Sequence, residues 1–174
     1  LALNKTGLKN LFKLVSLANT TYISKTPRIP RRIIEEHREG LLVGSGCYRG
    51  EVFYMAETRN EETLKKVIDF YDYVEVQPPE VYEHLVWGHD INSDKDVKMC
   101  INKIIKCTKE AGKIIVATGD VHHISRDDKL YREIIVNQKV PGGGRHPLAR
   151  VLDHYHKIPS QHFRTTDEML NDFS

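Results

Sequence analysis

The sequence of 174 residues lacks any apolar run long enough to cross a membrane. A membrane-spanning helix needs about 18 or more consecutive apolar residues, and no stretch approaches that length. The first residues, LALNKTGLKN, also lack the long apolar segment of a secretory signal peptide. With 40% hydrophobic and 29% charged residues, the composition predicts one globular domain over residues 1–174, without a membrane partner and with a cytoplasmic location.

Cysteine is scarce, and so is an excess of charge of either sign. The three cysteines have no regular spacing, which argues against a disulfide framework and favours reduced thiols. A net charge of +2 is too small to indicate nucleic-acid binding by itself, although four basic residues cluster between positions 25 and 32. Such a cluster is more often a solvated surface than a phosphate contact.

Two common catalytic motifs are missing as well. The sequence contains no GxSxG nucleophile elbow, which argues against a serine hydrolase of that type. The three glycines at 142–144 are not followed by Lys and Ser or Thr, so they do not form a phosphate-binding loop of the Walker type.

Helical and strand patterns alternate along the chain. Helices are predicted where apolar residues recur every three or four positions between capping residues, with Thr6 as the N-cap of the first. Strands are predicted where short apolar runs end at glycine or proline, as in buried parallel sheets. The helices are predicted over 6–18, 26–40, 60–71 and 96–112, and the strands over 41–46, 73–77 and 113–118. This order predicts an α/β fold with a mostly parallel sheet flanked by helices.

Polar residues follow the predicted strands, where ligands of parallel sheets gather. The third strand leads into ATGDVHHISRDD at 117–128, in which Asp120 and His122 stand two positions apart. In an extended segment both side chains point to the same side. A carboxylate and an imidazole suit Zn, Mn or Fe, and Cys47 at the first strand end could add a thiolate. The alternatives are a capped turn for Asp120 and His122, and a small core residue for Cys47.

Four other cysteine and histidine residues give weaker signals. Cys100 and Cys107 lie seven positions apart on one predicted helix, which is too far to chelate one ion, so core positions are expected. His154 and His156 form an H-x-H pattern, but the surrounding DHYHKIPSQ contains no apolar run typical of a strand. A solvated loop is expected there.

The chain resembles the PHP (polymerase and histidinol phosphatase) domain of the PolC-type bacterial DNA polymerase III alpha subunit. Five motifs occur in the same order, from about residue 4 to residue 173: TGLKNLFKLVS, TPRIPRRIIEEHREGLLVGSGC, FYDYVEVQPPEVY, ATGDVHHISRDDKLYREII and HFRTTDEML. The matching segment is similar to the second part of that domain, which follows an inserted proofreading exonuclease. The chain begins at Leu1 and ends at Ser174, directly after a helical pattern, as expected for a segment of a longer protein.

The resemblance implies part of a distorted, seven-stranded βα barrel, similar to a TIM barrel, with a metal cluster at its mouth. Matching motifs assign Cys47 of GSGC, and Asp120 and His122 of GDVH, as ligands of Zn, Mn or Fe. The remaining ligands would belong to the other part of the domain. His123 stands where the family usually has Tyr, and the spacing of residues 142–157 differs from the family, so the roles of His146, His154 and His156 stay open.

The resemblance also implies a function for the parent protein. The parent would be a Mg-dependent replicative DNA polymerase with an associated 3′–5′ exonuclease, and the carboxylates for polymerisation would lie in another domain. The segment alone is expected to be structural or inactive, to contact the rest of the polymerase chain, to meet DNA only through the parent, and to self-associate when isolated.

Two other interpretations remain. A freestanding metal-dependent phosphoesterase of the PHP type would need its own H-x-H ahead of an N-terminal strand, and no histidine precedes His37. An α/β binding module without metal would require that Asp120 and His122 form a hydrogen-bonded turn.

Overall fold

The computed structural model describes all 174 residues as two compact units, residues 1–44 with 71–73, and residues 45–70 with 74–174. No helix combines the length and apolarity required to span a membrane. A 3-10 turn at Pro79–Tyr82 accompanies nine α-helices and two strands: α1 Lys5–Asn19, α2 Arg31–Glu36, α3 Glu51–Thr58, α4 Glu61–Ile68, β1 Tyr73–Val76, α5 Glu83–Trp87, α6 Asp94–Glu110, β2 Ile114–Ala117, α7 Lys129–Asn137, α8 Ala149–Tyr155 and α9 Thr166–Asp172.

In the first unit, helix α1 begins at Lys5, and its N-cap lies two residues earlier than the sequence predicted. Its N-cap is Asn4, whose side chain accepts a hydrogen bond of 2.9 Å from the Gly7 N–H, so the prediction of Thr6 as the cap is wrong. Gly7 is the buried residue of this helix. A Cβ at this position would lie 1.8 Å from the Gly40 carbonyl oxygen, and only glycine permits this close approach of two backbone segments.

The apolar side of α1 is exposed, although its spacing predicts an amphipathic helix. Phe12 is 64% exposed, and Leu8, Leu11 and Val15 are also exposed. Hydrophobic periodicity indicates which side of a helix is apolar. It does not indicate whether a partner for that side lies within the same segment, and residues 1–44 supply none for α1.

The strand predicted at 41–46 is reduced to two isolated bridges. Leu41 pairs with Ala2 in antiparallel fashion, and Gly44 pairs with Tyr73 in parallel fashion. Between them the Asp72 side chain accepts a 2.7 Å hydrogen bond from the Val43 N–H. A carboxylate therefore replaces one rung of the ladder, and the chain does not form a continuous strand.

In the second unit, β1 and β2 form a two-stranded sheet, close to the strands predicted at 73–77 and 113–118. The Thr118 N–H, just beyond β2, donates a 2.9 Å hydrogen bond to the carbonyl of Val76, the last residue of β1. Antiparallel pairing would place Val76 opposite the start of β2, so the strands are parallel. The fold is thus α/β, as predicted.

The two strands differ in burial. Val74 and Val76 of β1 are buried, while Ile114 of β2 is 67% exposed. The prediction of a buried third strand is therefore wrong for β2, because no further strand pairs with its outer edge within the chain. The core lies instead where α3, α4 and α6 pack together around Leu64 and Ile104.

The C-terminal part of the chain is largely helical. Helix α8 spans Ala149–Tyr155 and so includes His154, for which a solvated loop was expected. Thr165 is the N-cap of helix α9: the Thr165 hydroxyl accepts from the Glu168 N–H, and the Glu168 carboxylate accepts from the Thr165 N–H. This reciprocal capping box satisfies two of the backbone donors at the start of the helix.

Candidate functional site

The three residues that the sequence singled out for metal binding line one pocket of about 220 Å³ in the second unit. Cys47 lies in the turn before α3, and Asp120 and His122 follow β2. The pocket is also lined by Tyr48, Arg49, His84, Arg132, His146, Pro147, Leu148, Pro159 and Gln161. Residues that follow β1 and β2 therefore share one pocket with Cys47, as expected for the C-terminal ends of parallel strands.

A left-handed turn, rather than an extended segment, brings Asp120 and His122 together. Asp120 has a φ of +46°, so the extended geometry assumed from the sequence is wrong at this residue. The turn places Asp120 Oδ1 3.5 Å from His122 Nε2. A positive φ is uncommon for residues other than glycine and is frequently held in place at functional sites.

Gln161, which the sequence analysis did not identify, holds both halves of this turn. Its side-chain Nε2 donates a 2.7 Å hydrogen bond to Asp120 Oδ2, and its carbonyl accepts a 2.8 Å bond from the His122 N–H. Its own N–H donates to His123 Nε2 at 3.2 Å. His123 Nδ1 lies 2.7 Å from the Ser125 carbonyl, so both ring nitrogens are used and His123 supports the turn.

Burial lowers the pKa of His122, and the nearby Arg132 guanidinium lowers it further, although Asp120 acts in the opposite direction. An imidazole must be neutral to donate a nitrogen lone pair to a metal ion. Because the reference pKa of histidine is about 6.5, a lowered value leaves His122 neutral at pH 7.5 and available as a ligand.

His84 is a second residue that the sequence analysis missed. It lies in α5, just beyond the QPPEVY stretch that follows β1, and it is only 7% exposed. Its Nδ1 lies 3.1 Å from the Val81 carbonyl, while its Nε2 is buried without a hydrogen-bond partner. The position of His84 within a helical turn gave no pattern from which its role could be read.

Unpartnered polar atoms are concentrated in this pocket. Four buried side-chain nitrogen and oxygen atoms in the chain lack a hydrogen-bond partner, and three of them belong to pocket residues: His84 Nε2, Gln161 Oε1 and Arg132 Nε. Buried polar atoms normally have partners, so this clustering indicates a place where something binds. A thiol, a carboxylate and imidazoles are donors that suit a divalent metal.

The side chains do not form a closed coordination shell. No group of three or more His, Cys, Asp or Glu side chains stands close enough to hold a metal ion. The donor types in the pocket therefore fit a metal chemically, and the arrangement of His122 beside Asp120 provides a pair rather than a complete site.

The remaining candidates lie elsewhere. Cys107 is buried in α6 and Cys100 is half-buried in the same helix. His154 and His156 are exposed and lie outside the pocket. His146 lines the pocket, but its Nδ1 accepts a 3.1 Å hydrogen bond from the Leu148 N–H, so the neutral ring carries its proton on Nε2 and offers no second lone pair.

The chain is similar to proteins that are named DNA polymerase III PolC-type. A family model described as PHP domain matches residues 1–78. The DNA polymerase III PolC-type of Bacillus subtilis is 49% identical over 174 residues, which is 100% of the chain and 12% of that protein. The proteins of the same name from Lacticaseibacillus paracasei and Bacillus cereus are 46% and 42% identical, over 99% and 100% of the chain and 11% and 12% of their own lengths.

These comparisons confirm the resemblance inferred from the five motifs. The chain spans about 12% of the length of the curated relatives that it matches.

Proposed function

We propose that this chain, which carries a PHP-domain match and is similar over its whole length to DNA polymerase III PolC-type proteins, is the C-terminal portion of a PHP domain in such a polymerase. In this proposal residues 1–174 belong to one domain, and the β1–β2 pair is part of a distorted seven-stranded βα barrel. The parallel pairing of β1 and β2, with helix α6 between them in sequence, supports the barrel.

The parent protein would synthesise DNA from deoxynucleoside triphosphates on a primer-template in the cytoplasm. It would use Mg for this reaction and carry an associated 3′–5′ exonuclease. The proposal rests on the name shared by the relatives. The segment itself would contribute structure, contacts with the rest of the polymerase chain and part of a metal site, and would meet DNA only through the parent.

Cys47, Asp120 and His122 would hold a divalent ion such as Zn, Mn or Fe, together with ligands from the rest of the domain. Such an ion, when bound, lowers the pKa of a water molecule to about 7 and polarises phosphoryl oxygens. The chain's own residues prepare the site: Gln161 fixes the Asp120 carboxylate, and partial burial lowers the pKa of His122. The observation that carries this proposal is the single pocket that the three residues share with two unpartnered acceptors, His84 Nε2 and Gln161 Oε1.

Calorimetric titration with Zn²⁺ and Mn²⁺ at about pH 7.5, above the reference histidine pKa, tests this role. We expect weak binding by the unaltered chain, because part of the ligand set lies outside it, and loss of most of that binding in His122→Ala. His154→Ala and His156→Ala are matched controls on exposed histidines and should bind as the unaltered chain does. Binding that survives His122→Ala but is lost in either control would place the site elsewhere and contradict the proposal.

A further inference from the structure

We propose that His84 is a further metal-binding residue of this pocket, which donates the lone pair of Nε2 to a divalent ion whose remaining ligands come in part from the rest of the domain. This inference rests on the proposed metal site and adds a ligand that neither the sequence motifs nor the comparisons assign. It follows from three features of His84, which are its protonation, its burial and its position in the fold.

The hydrogen bond at Nδ1 fixes which ring nitrogen is free. A backbone carbonyl can only accept, so the 3.1 Å contact between His84 Nδ1 and the Val81 oxygen requires the proton to lie on Nδ1. The Nε2 atom of the neutral ring therefore carries a lone pair. Metal-bound histidines typically have this arrangement, in which the second nitrogen donates to a carbonyl and sets the orientation of the ring.

The Nε2 atom is buried and has no partner within the chain. His84 is 7% exposed, and Nε2 makes no hydrogen bond. Tyr48 contacts the ring edge-on, with the ring centroids 4.7 Å apart, so packing as well as hydrogen bonding holds the imidazole in place. A buried acceptor without a partner is unfavourable, and a bound ion would satisfy it.

The other histidines around the pocket differ from His84 in this respect. His146 accepts a hydrogen bond at Nδ1, and His123 uses both ring nitrogens. His84 and His122 are thus the two pocket imidazoles that can offer a nitrogen in the neutral state. Imidazole nitrogen, thiolate sulfur and carboxylate oxygen are all donors that Zn²⁺ accepts, and no three of the pocket side chains stand close enough to hold one ion by themselves.

The position of His84 agrees with the layout of the sheet. Asp120 and His122 follow β2, and His84 follows β1 through the 3-10 turn. Cys47 follows Gly44, which forms the parallel bridge with Tyr73. Each of the two paired strands is therefore followed by at least one donor on its C-terminal side, where parallel sheets place their ligands.

Titration with Co²⁺ tests the inference, because the visible absorption of cobalt reports the number and type of its ligands. The variant is His84→Gln, which keeps a polar side chain of similar size, and the matched control is His146→Gln in the same pocket. We expect the Co²⁺ dissociation constant of His84→Gln to rise about tenfold or more, because loss of a residue that only supports a metal ligand already lowers metal affinity by about tenfold. The visible absorption of the bound Co²⁺ should also weaken. His146→Gln should match the unaltered chain.

Unchanged affinity and spectrum in His84→Gln would overturn the inference and leave the proposed metal site standing, provided that Cys47→Ser alters the cobalt spectrum. Absence of Co²⁺ binding by the unaltered chain would overturn both. If His84→Gln does not fold, ¹⁵N NMR of the unaltered chain decides instead. The His84 Nε2 resonance should shift on addition of Zn²⁺ while the His146 resonances do not, and a constant His84 resonance would overturn the inference.

Discussion

The second unit contains two polar clusters that differ in how completely their hydrogen-bonding groups are satisfied. In one, the Arg164 side chain is only 1% exposed and donates 2.6 Å hydrogen bonds to Glu80 and Asp172. Further bonds of 3.3 and 3.4 Å reach the carbonyls of His162 and Ser160. In the other, the pocket around Asp120, unpartnered atoms remain on His84, Gln161 and Arg132.

This difference separates a cluster that holds the fold from one that is available to a ligand. The Arg164 cluster joins α9 to the 3-10 turn after β1 with its charges compensated. The Asp120 pocket contains acceptors that the chain itself does not use. Gln161 of the pocket and Arg164 of the other cluster are three positions apart in sequence, yet the two clusters differ in role. Changes in the first cluster should therefore alter stability, and changes in the second should mainly alter binding.

The largest expected effect on stability is that of Arg164→Met. Removing the guanidinium leaves Glu80 and Asp172 without their shared partner, and loss of one member of a buried ion pair typically costs about 3 kcal/mol or more of unfolding free energy. Arg126→Met is the matched control, because Arg126 also pairs with Glu80 but is exposed, so its loss should cost less than about 1 kcal/mol. Urea unfolding measures the free energy of unfolding of both variants. Equal losses of this free energy would show that the burial of Arg164 adds nothing to stability.

Gln161→Ala should give a smaller loss of stability and a clear loss of metal affinity. The variant removes a hydrogen bond to the Asp120 carboxylate, and bonds to charged groups typically contribute about 1.5–3 kcal/mol. Because Gln161 positions a proposed ligand, Zn²⁺ affinity should fall about tenfold. Gln138→Ala, on the exposed end of α7, is the control and should change neither quantity. Loss of stability without loss of affinity would make Gln161 purely structural.

Acidification should destabilise the metal-free protein through three histidines of the pocket. Burial lowers the pKa of His84, His122 and His146 below the unfolded value. The unfolded chain therefore binds more protons, and stability that is fully present above about pH 6.5 is lost as the pH falls below that value towards the folded pKa. Urea unfolding at pH 7.5 and 5.5 measures the loss, which His84→Gln should reduce. If the loss of stability between pH 7.5 and 5.5 is equal in His84→Gln and in a variant of the exposed His154, the role of burial is contradicted.

The weakest expected effect concerns self-association of the isolated chain. Leu130, Ile134 and Ile135 on α7 are exposed, as is Ile114 on β2, and apolar surface with an unpaired strand edge favours association. We expect dimers at high concentration by light scattering, and a shift towards monomer in Ile135→Lys. A monomer at all concentrations would show that these surfaces do not drive association of the isolated chain.

The sequence predicted the regular parts of the fold for physical reasons that are local. Strands β1 and β2 and helix α6 are encoded by short apolar runs and by cap residues within a few positions of each element. The exposure of Ile114 and of the apolar side of α1 could not be predicted, because burial depends on partners distant in sequence. The predicted strand at 41–46 was replaced by bridges because the Asp72 side chain takes the Val43 N–H, a tertiary contact without a local signal.

The candidate site was predictable in part for the same reason. Asp120 and His122 form a local pattern after a strand, whereas the extended geometry assumed for them was wrong because Asp120 adopts a left-handed turn. His84 and Gln161 reach the pocket from distant segments and carry no motif. Only the three-dimensional arrangement shows that one of them has a free nitrogen and the other holds the Asp120 carboxylate.

A crystal structure of the chain soaked with Zn²⁺, with anomalous diffraction measured at the zinc edge, tests the central claim most directly. The account predicts an anomalous peak in the pocket at bonding distance from at least one of its donors, which is about 2.3 Å for the Cys47 sulfur and about 2.0–2.1 Å for a ring nitrogen of His122 or His84. A peak beside His154 or His156, or none in the pocket at saturating Zn²⁺, would contradict it.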